Sequence, residues 1–352
     1  MLHILVWAVL ILLGLVGVLI LSTAVIQVQR DRQNRHRITC YKDWETRLED
    51  HLFRSGQSKN SFGNIPWKDR WLFRDFLSRY QPTLAGAEFE VIRQLYLGLG
   101  IHASLPRRLR SHHPKTRAKA ALEIATFQLE GYLDGVVPLT EDDVPFVAYT
   151  AAKALGSSRD LRYAKPVMAW VLREDRYQRD RLLQVVEAFG PALLPWLEQH
   201  LEPPSEQPEA WIIYAHLAAS HRNHDSQARL LHLLDAPLLD LQAAAIKALT
   251  TLGDPSAYDR VHVLARHESW VLRAVVALGL GILGGPEAIP ILLGLMADPV
   301  FEVRRNAGQS LAGLGGAGQE ALAWMAEDPN TDPFARDMAR ERLEWVHERG
   351  HQ

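Results

Sequence analysis

The sequence of 352 residues has very little cysteine and very little net charge. Its single cysteine, Cys40, cannot form a disulfide within the chain, so packing must stabilise the fold. Cysteine poverty also gives no sign of an oxidising compartment. The formal net charge is -2 at pH 7. Because a dedicated nucleic-acid-binding domain is usually strongly basic, this balance argues against a nucleic-acid partner.

Two local motifs of enzymes are also missing. The sequence has no phosphate loop and no Gly-x-Ser-x-Gly nucleophile elbow. The letters HRNH at 221–224 suggest a metal pair, but no third ligand lies nearby in the sequence, which favours a polar turn. The sequence therefore predicts no catalytic, cofactor-binding or metal-binding residue, and a protein that is not an enzyme.

What the sequence does contain is an internal repeat. Leu249, Leu280 and Leu311 follow one another at intervals of 31 residues, and a glycine ends each copy at Gly253, Gly284 or Gly315. A fixed period of this size is typical of stacked helical repeats. Each copy is a short apolar helix, and glycine suits the left-handed position that closes many helices. A second helix follows each copy, and stacking these pairs would bury their apolar faces.

The repeats resemble the HEAT-repeat family, in its short bacterial form. The resemblance consists of small residues in the middle of the first helix, a Leu-Gly end, and a ladder of arginines at Arg273, Arg304 and Arg336. In the family, such an arginine often pairs with an acidic residue of the next repeat, so the resemblance implies a structural role for this ladder. It also implies an all-α protein, an α-solenoid of stacked HEAT-like helix pairs, and it implies a fold without an activity.

The N-terminus predicts one transmembrane helix before the solenoid. No Asp, Glu, Lys or Arg occurs between Leu2 and Val28, and a membrane-spanning helix needs about 20 apolar residues. Basic residues follow at 29–42, and positive residues flank the cytoplasmic end of a span. The expected location is the bacterial inner membrane, single-pass, with the N-terminus outside and the repeats in the cytoplasm. The remaining predicted parts are an atypical helical cap at 43–110 and the solenoid at 111–352.

A basic segment between 106 and 119 contains no acidic residue. Such a run can hold lipid headgroups, phosphates or an acidic protein, and it can equally be a solvated edge of two helices. The candidate contact residues are Arg107, Arg108, Arg110, Lys115, Arg117 and Lys119.

Two functional classes follow from these patterns. The first is a membrane-tethered, non-catalytic scaffold that binds a protein partner; family context suggests an envelope or polysaccharide-synthesis complex containing a glycosyltransferase. The second is an enzyme or enzyme subunit of the HEAT-like lyase or hydroxylase type, with a groove that a single sequence does not reveal. Exposed aromatic residues on one face would favour the first, and a cluster of histidines and carboxylates in a pocket would favour the second.

Overall fold

The computed structural model describes residues 2–53, 62, 65–80, 83–174 and 179–350, and every regular element in these ranges is helical. The chain divides into two compact units, unit 1 (Met1–Val136) and unit 2 (Val137–Gln352). This confirms the predicted all-α class. The predicted boundaries at 43, 111 and 352 remain predictions.

Unit 1 contains five α-helices within its described residues. They are α1 (Leu2–Phe53), α2 (Arg70–Tyr80), α3 (Gly86–Gly98), α4 (Leu105–Leu109) and α5 (Pro114–Thr126). The C-terminal part of α1 packs on α2 through aromatic rings. The Trp44 ring meets the Phe73 ring edge-on at a centroid distance of 4.9 Å, and Tyr41 meets Phe76 at 5.4 Å. Trp44 and Leu48 are buried, so this half of α1 belongs to the core of unit 1.

The prediction of a single-pass inner-membrane protein is contradicted. In the part of the chain that the structure describes, no helix is both long and apolar enough to cross a membrane. Of the predicted span, the side chains of 15–28 are described. Beyond Val28, α1 continues as a charged helix to Phe53. The side chains of the other part of the predicted span, 2–14, lie outside the described residues.

Unit 2 is a stack of helix pairs. Its helices are α6 (Pro145–Ser157), α7 (Ala164–Arg173), α8 (Arg179–Glu187), α9 (Leu193–His200), α10 (Pro208–Ser220), α11 (Gln227–Leu233), α12 (Leu239–Leu252), α13 (Tyr258–Val261), α14 (Trp270–Leu283), α15 (Ile289–Met296), α16 (Phe301–Gly313), α17 (Gly315–Glu327) and α18 (Pro333–Gly350). The helices α10, α12, α14, α16 and α18 each pack against the next in this series. The predicted α-solenoid of stacked helix pairs is confirmed.

The 31-residue period sets which side chains form the core of this stack. Leu249, Leu280 and Leu311 occupy equivalent positions in α12, α14 and α16, and all three are fully buried. Small residues lie beside them at the contacts between first helices, where they allow the backbones to approach closely. The repeat in the sequence is therefore a repeat of buried contacts.

The glycines that end the copies serve two different purposes. Gly253 and Gly315 have φ angles of 70° and adopt the predicted left-handed conformation. Gly284 does not, because its φ is -100° and the left-handed residue is its neighbour Gly285, at 50°. A Cβ atom on Gly284 would lie 2.5 Å from Cε2 of Tyr258. Glycine at this position makes room for an aromatic ring from α13.

Replacing Gly284 by alanine should therefore destabilise unit 2 by about 1–3 kcal/mol, because the Tyr258 ring must move to admit the methyl group. Gly313→Ala is the matched control: Gly313 is the last residue of α16, and no atom lies within 4 Å of its added Cβ. Alanine there should be neutral or stabilise by up to about 1 kcal/mol. Urea denaturation compares the two, and equal stabilities would show that the contact with Tyr258 is unimportant.

Candidate functional site

Two arginines of the ladder, Arg273 and Arg304, cap the turns that precede their helices, and Arg117 does the same before α5. Arg273, Arg304 and Arg117 each donate from Nη1 to the backbone carbonyls six and five residues earlier, at 2.7–3.4 Å. Gln242 holds carbonyls of its preceding turn in a similar way, at 2.8 and 3.0 Å. Arg336 is half-buried at the start of α18. These bonds satisfy backbone acceptors that would otherwise lack partners. They favour a structural role for the ladder, which remains a prediction.

Arg273 also forms an ion pair across to the next repeat. Its Nε and Nη2 donate to the two carboxylate oxygens of Asp298 at 2.6 and 3.1 Å, and both side chains are largely buried. Burial acts to raise the pKa of Asp298, but hydrogen bonds from Arg273 and from the Val300 N–H outweigh it. The pKa of Asp298 consequently lies below its ordinary value. The pairing that the family resemblance implied is present here.

This depressed pKa gives a pH-dependent stability. The Asp298 carboxylate stabilises the fold above its unfolded-state pKa, and the contribution is lost as the pH falls through the lower folded-state value. Asp298→Asn should therefore cost about 1–3 kcal/mol at pH 7. The difference from wild type should begin to shrink near the unfolded-state pKa, at about pH 4, and vanish only below the lower folded-state pKa. Asp235→Asn is the control, because the Asp235–Arg260 pair is exposed and should contribute less than about 1 kcal/mol. The test is to measure the denaturation midpoints of wild type and both variants across a pH series. A destabilisation by Asp298→Asn that is the same at every pH would contradict this account.

The predicted basic segment is divided between surface and interior. Four of its members are exposed on α4, α5 and the turn between them: Arg107, Arg110, Lys115 and Lys119. The other two are engaged within unit 1, since Arg117 caps a turn and Arg108 pairs with a buried carboxylate. An anionic ligand on this surface remains a prediction for the four exposed side chains.

The carboxylate that holds Arg108 is the centre of a buried polar cluster. Glu123 on α5 accepts hydrogen bonds from Arg74 at 2.9 Å, from Arg108 at 2.7 Å and from the Tyr96 hydroxyl at 2.8 Å. Its side chain is 4% exposed. Burial, and then the neighbouring Glu123 charge, raise the pKa of Tyr96 far above its ordinary value. The cluster ties α2, α3, α4 and α5 together, which is a structural task.

A groove in unit 2 is a better candidate for chemistry. It runs across the exposed faces of α8, α10, α12 and α14 and has a volume of about 360 Å³. Its floor consists mainly of small and aliphatic side chains, and charged or hydrogen-bonding groups surround that floor. The lining residues are Arg179, Leu183, Ile212, Ala215, His216, Ala219, Asp240, Ala243, Ala244, Lys247, Ala248, Thr251, Val271 and Val275. We call this the α10–α12 groove.

One side of the α10–α12 groove carries a histidine held by a carboxylate. Nε2 of His216 on α10 lies 2.9 Å from Oε1 of Glu187 on α8, and both side chains are partly exposed. A carboxylate only accepts, so Nε2 carries the hydrogen in this contact and Nδ1 of the neutral ring is a proton acceptor. An imidazole oriented in this way is suited to general acid–base catalysis.

The groove is also lined by charges of both signs. Asp240 and Lys247 are exposed on α12, and Arg179 is exposed at the start of α8. None of the three forms an ion pair with another described residue. Lys247 follows His216 at one repeat period of 31 residues, and Leu278 follows Lys247 at the same interval. The floor and rim together offer an apolar surface with a few polar groups that could orient a ligand, which is the usual composition of a binding site.

Sequence reasoning missed His216 and Glu187, because the two residues come from different helices 29 residues apart. The available signal was a polar residue within the otherwise apolar run of α10. The HRNH turn at 221–224 is a turn in the structure as well. Asn223 caps it by accepting from the Ser226 N–H at 3.2 Å.

Two spacings known from enzymes do occur in the sequence. Residues 279–284 read Gly-x-Gly-x-x-Gly, but they lie within the last half of α14 instead of between a strand and a helix, so they lack the context of a dinucleotide site. Added Cβ atoms on Gly279 and Gly281 would lie 2.7 Å from Thr250 and 2.6 Å from Ser310, which explains these glycines by packing. Residues 347–351 read His-Glu-x-x-His, and His351 lies outside the described residues.

Comparison with known protein families identifies the repeats in unit 2. A family model for HEAT repeats matches residues 226–312, the part of unit 2 that contains α12, α14 and nearly all of α16. The match confirms the resemblance to HEAT repeats for residues 226–312. Members of this architecture present extended surfaces to other macromolecules.

A curated relative is an enzyme. Deoxyhypusine hydroxylase of Gallus gallus is 34% identical over 123 residues, which make up 34% of this chain and 41% of the relative. The chain thus matches less than half the length of that enzyme. This similarity contradicts the prediction that the chain is not an enzyme. The prediction was wrong because it rested on the absence of local sequence motifs, and side chains that come together from separate helices leave no such motif.

Two solved structures are also similar. The complex of CpcE and CpcF of phycocyanin lyase from Nostoc sp. PCC7120 is 18% identical, with coverage of 70% of this chain and 94% of that chain and a TM-score of 0.32. Human deoxyhypusine hydroxylase in complex with glycerol is 18% identical, with coverage of 80% and 98% and a TM-score of 0.30.

Proposed function

We propose that the chain is an enzyme, or a subunit of one, that modifies a protein substrate in the α10–α12 groove. The observation that carries this proposal is the His216–Glu187 pair, with its 2.9 Å contact at the side of an apolar groove. The similarity to a hydroxylase supports the enzyme class, and HEAT repeats suit a macromolecular substrate. A groove of about 360 Å³ has the size of sites that hold one or two substrate side chains.

The residues of the groove have distinct roles in this proposal. His216 accepts a proton from the reacting group through Nδ1, while Glu187 orients the ring and stabilises the imidazolium that forms. Lys247 and Asp240 bind groups of opposite charge on the substrate, and the alanine floor lets its backbone approach the helices. General acid–base catalysis of this kind contributes about 10²- to 10⁴-fold to a rate.

Hydroxylation as such needs an oxidant and commonly a metal with two histidines and a carboxylate. Among the described residues, no group of three or more His, Cys, Asp or Glu side chains could hold a metal ion. The described part of the chain therefore does not fit a metal-dependent hydroxylation, and the assigned chemistry is limited to proton transfer at His216.

Mass spectrometry of whole-cell peptides can test the proposal without knowledge of the substrate. Cells that lack the chain are complemented with wild type, with His216→Ala, with Glu187→Gln, or with His232→Ala as a control at an exposed histidine of α11. We expect a covalent modification that wild type and the control restore, that His216→Ala abolishes and that Glu187→Gln reduces. A peptide that carries deoxyhypusine is added in a parallel assay, in which a gain of one oxygen atom would identify the relative's reaction.

Two results would contradict the proposal. The first is an identical set of modified peptides with and without the chain. The second is a modification that depends on the chain and that His216→Ala restores as well as wild type does.

A further inference from the structure

One edge of unit 2 carries an exposed apolar side chain at the start of each successive first helix. Leu239, Trp270 and Phe301 are the first residues of α12, α14 and α16, and Phe334 is the second residue of α18. Their exposed fractions are 42%, 45%, 50% and 66%. Because these helices are stacked side by side and each is reached through an intervening helix, their N-terminal ends lie along the same edge. We call these four side chains the aromatic row.

An ordered contact links two members of the aromatic row. The guanidinium carbon of Arg304 lies 6.0 Å from the centroid of the Phe301 ring and 5.2 Å from that of Phe334. The same guanidinium donates to two backbone carbonyls of the preceding turn. Arg304 therefore holds the two rings in place before any ligand arrives, which lowers the entropy lost on binding.

The surroundings of the aromatic row are mainly acidic. An exposed carboxylate lies within two residues of each member, at Asp240, Glu268, Glu302 and Asp332. Positive charges are present as well: Arg266 and Arg305 are exposed, and Arg336 is half-buried two residues after Phe334. The guanidiniums of Arg273 and Arg304 are directed at backbone carbonyls, and Arg273 is further neutralised by Asp298. The edge therefore offers apolar contacts with negative charge between them.

We propose that the aromatic row binds a proline-rich segment with basic residues between its prolines. Neighbouring helix axes in such a stack are about 8–10 Å apart, which sets the spacing of the row. A polyproline II helix rises about 3.1 Å per residue with three residues per turn, so every third side chain recurs at about 9 Å on one face. In a β-strand, side chains on one face recur at about 7 Å, which does not match.

The width of the row also favours this ligand over a helix. An amphipathic helix needs an apolar groove that accepts side chains at i, i+3, i+4 and i+7. The centre of the aromatic row is one side chain wide, since the residues that follow Trp270 and Phe301 are the half-buried Val271 and the carboxylate Glu302. Proline rings that stack on aromatic side chains, beside carboxylates that bind arginine, are a known mode of recognising polyproline II segments.

Calorimetry with a synthetic peptide tests this site on the full chain. The probe has proline at every third position and arginine among the intervening residues, and a peptide of the same composition with its prolines clustered is the reference. We expect the spaced peptide to bind at least about tenfold more tightly than the clustered one. Phe301→Ala should weaken binding by about tenfold, as expected for a central aromatic contact. Glu302→Lys, which leaves the row intact, should weaken binding and reduce its dependence on salt.

Ile282→Ala is the matched control, because Ile282 is an exposed apolar residue at the C-terminal end of α14, the end opposite to Trp270. It should leave the affinity unchanged, and circular dichroism should confirm that all variants are folded. Equal affinity for the two peptides, or unchanged binding to Phe301→Ala, would overturn the proposal. Tighter binding of a helix-forming peptide with apolar residues at i and i+7 would also overturn it, as would self-association of the chain through Phe301 without peptide binding.

Discussion

Replacing Glu123 by alanine is expected to destabilise unit 1 by about 3–5 kcal/mol, because it leaves two half-buried guanidiniums without their carboxylate. Arg74 and Arg108 both donate to Oε2 of Glu123, and their side chains are 16% and 14% exposed. The Tyr96 hydroxyl loses its acceptor as well. Arg74 keeps its contact with the exposed Asp75, so the loss should fall below the sum of the separate bonds.

Two further variants show whether charge causes this loss. Glu123→Gln keeps an acceptor oxygen without the charge and should destabilise less than Glu123→Ala. Arg107→Ala removes a neighbouring arginine that is exposed and should change stability by less than about 0.5 kcal/mol. Hydrogen exchange in α2, α3, α4 and α5, measured in rising concentrations of urea, reports the stability of unit 1 separately from that of unit 2. A Glu123→Ala variant within 1 kcal/mol of wild type would show that the cluster contributes little.

The second large effect is expected in the core of the repeats. Leu280 is fully buried in α14, between α12 and α16, so Leu280→Ala should cost about 2–5 kcal/mol. In an array where each repeat contacts mainly its neighbours, the loss should remain near the mutated repeat. Hydrogen exchange should therefore accelerate in α12, α14 and α16 and change least in α6 and α7. Ile282→Ala, two residues away and 64% exposed, is the control and should change exchange little.

Uniform acceleration of exchange through unit 2 would contradict this picture, because it would mean that the repeats unfold as one cooperative block. Unchanged exchange in α12 and α16 would also contradict it, since those helices pack directly on α14.

The architecture was predictable to the extent that the sequence repeats. The interval between Leu249, Leu280 and Leu311 located three first helices and their buried faces, because equal spacing in a stack produces equal environments. Gly284 was misassigned because the Tyr258 ring that fills its space comes from another helix. The predicted membrane span rested on composition alone, and composition does not show that the helix continues to Phe53 and packs on α2 through Trp44.

The candidate site was much less predictable. His216 and Glu187 come together only when α8 packs beside α10, and no spacing within either helix indicates it. The charge count of the basic segment included Arg108 as a surface group, because a count does not register the buried Glu123 that neutralises it. In a single sequence, a charged residue that forms a buried ion pair looks the same as one that binds a ligand. The structure distinguishes the two because it shows which residues lie beside each charge.

The most direct test of the central proposal is the turnover rate of purified protein on the peptide that cellular mass spectrometry identifies. We expect wild type to modify that peptide, and His216→Ala to be about 10²- to 10⁴-fold slower with its fold intact. Ala244→Trp, which fills the floor of the α10–α12 groove, should abolish substrate binding. If His216→Ala turned over at the wild-type rate, the α10–α12 groove would not be the active site.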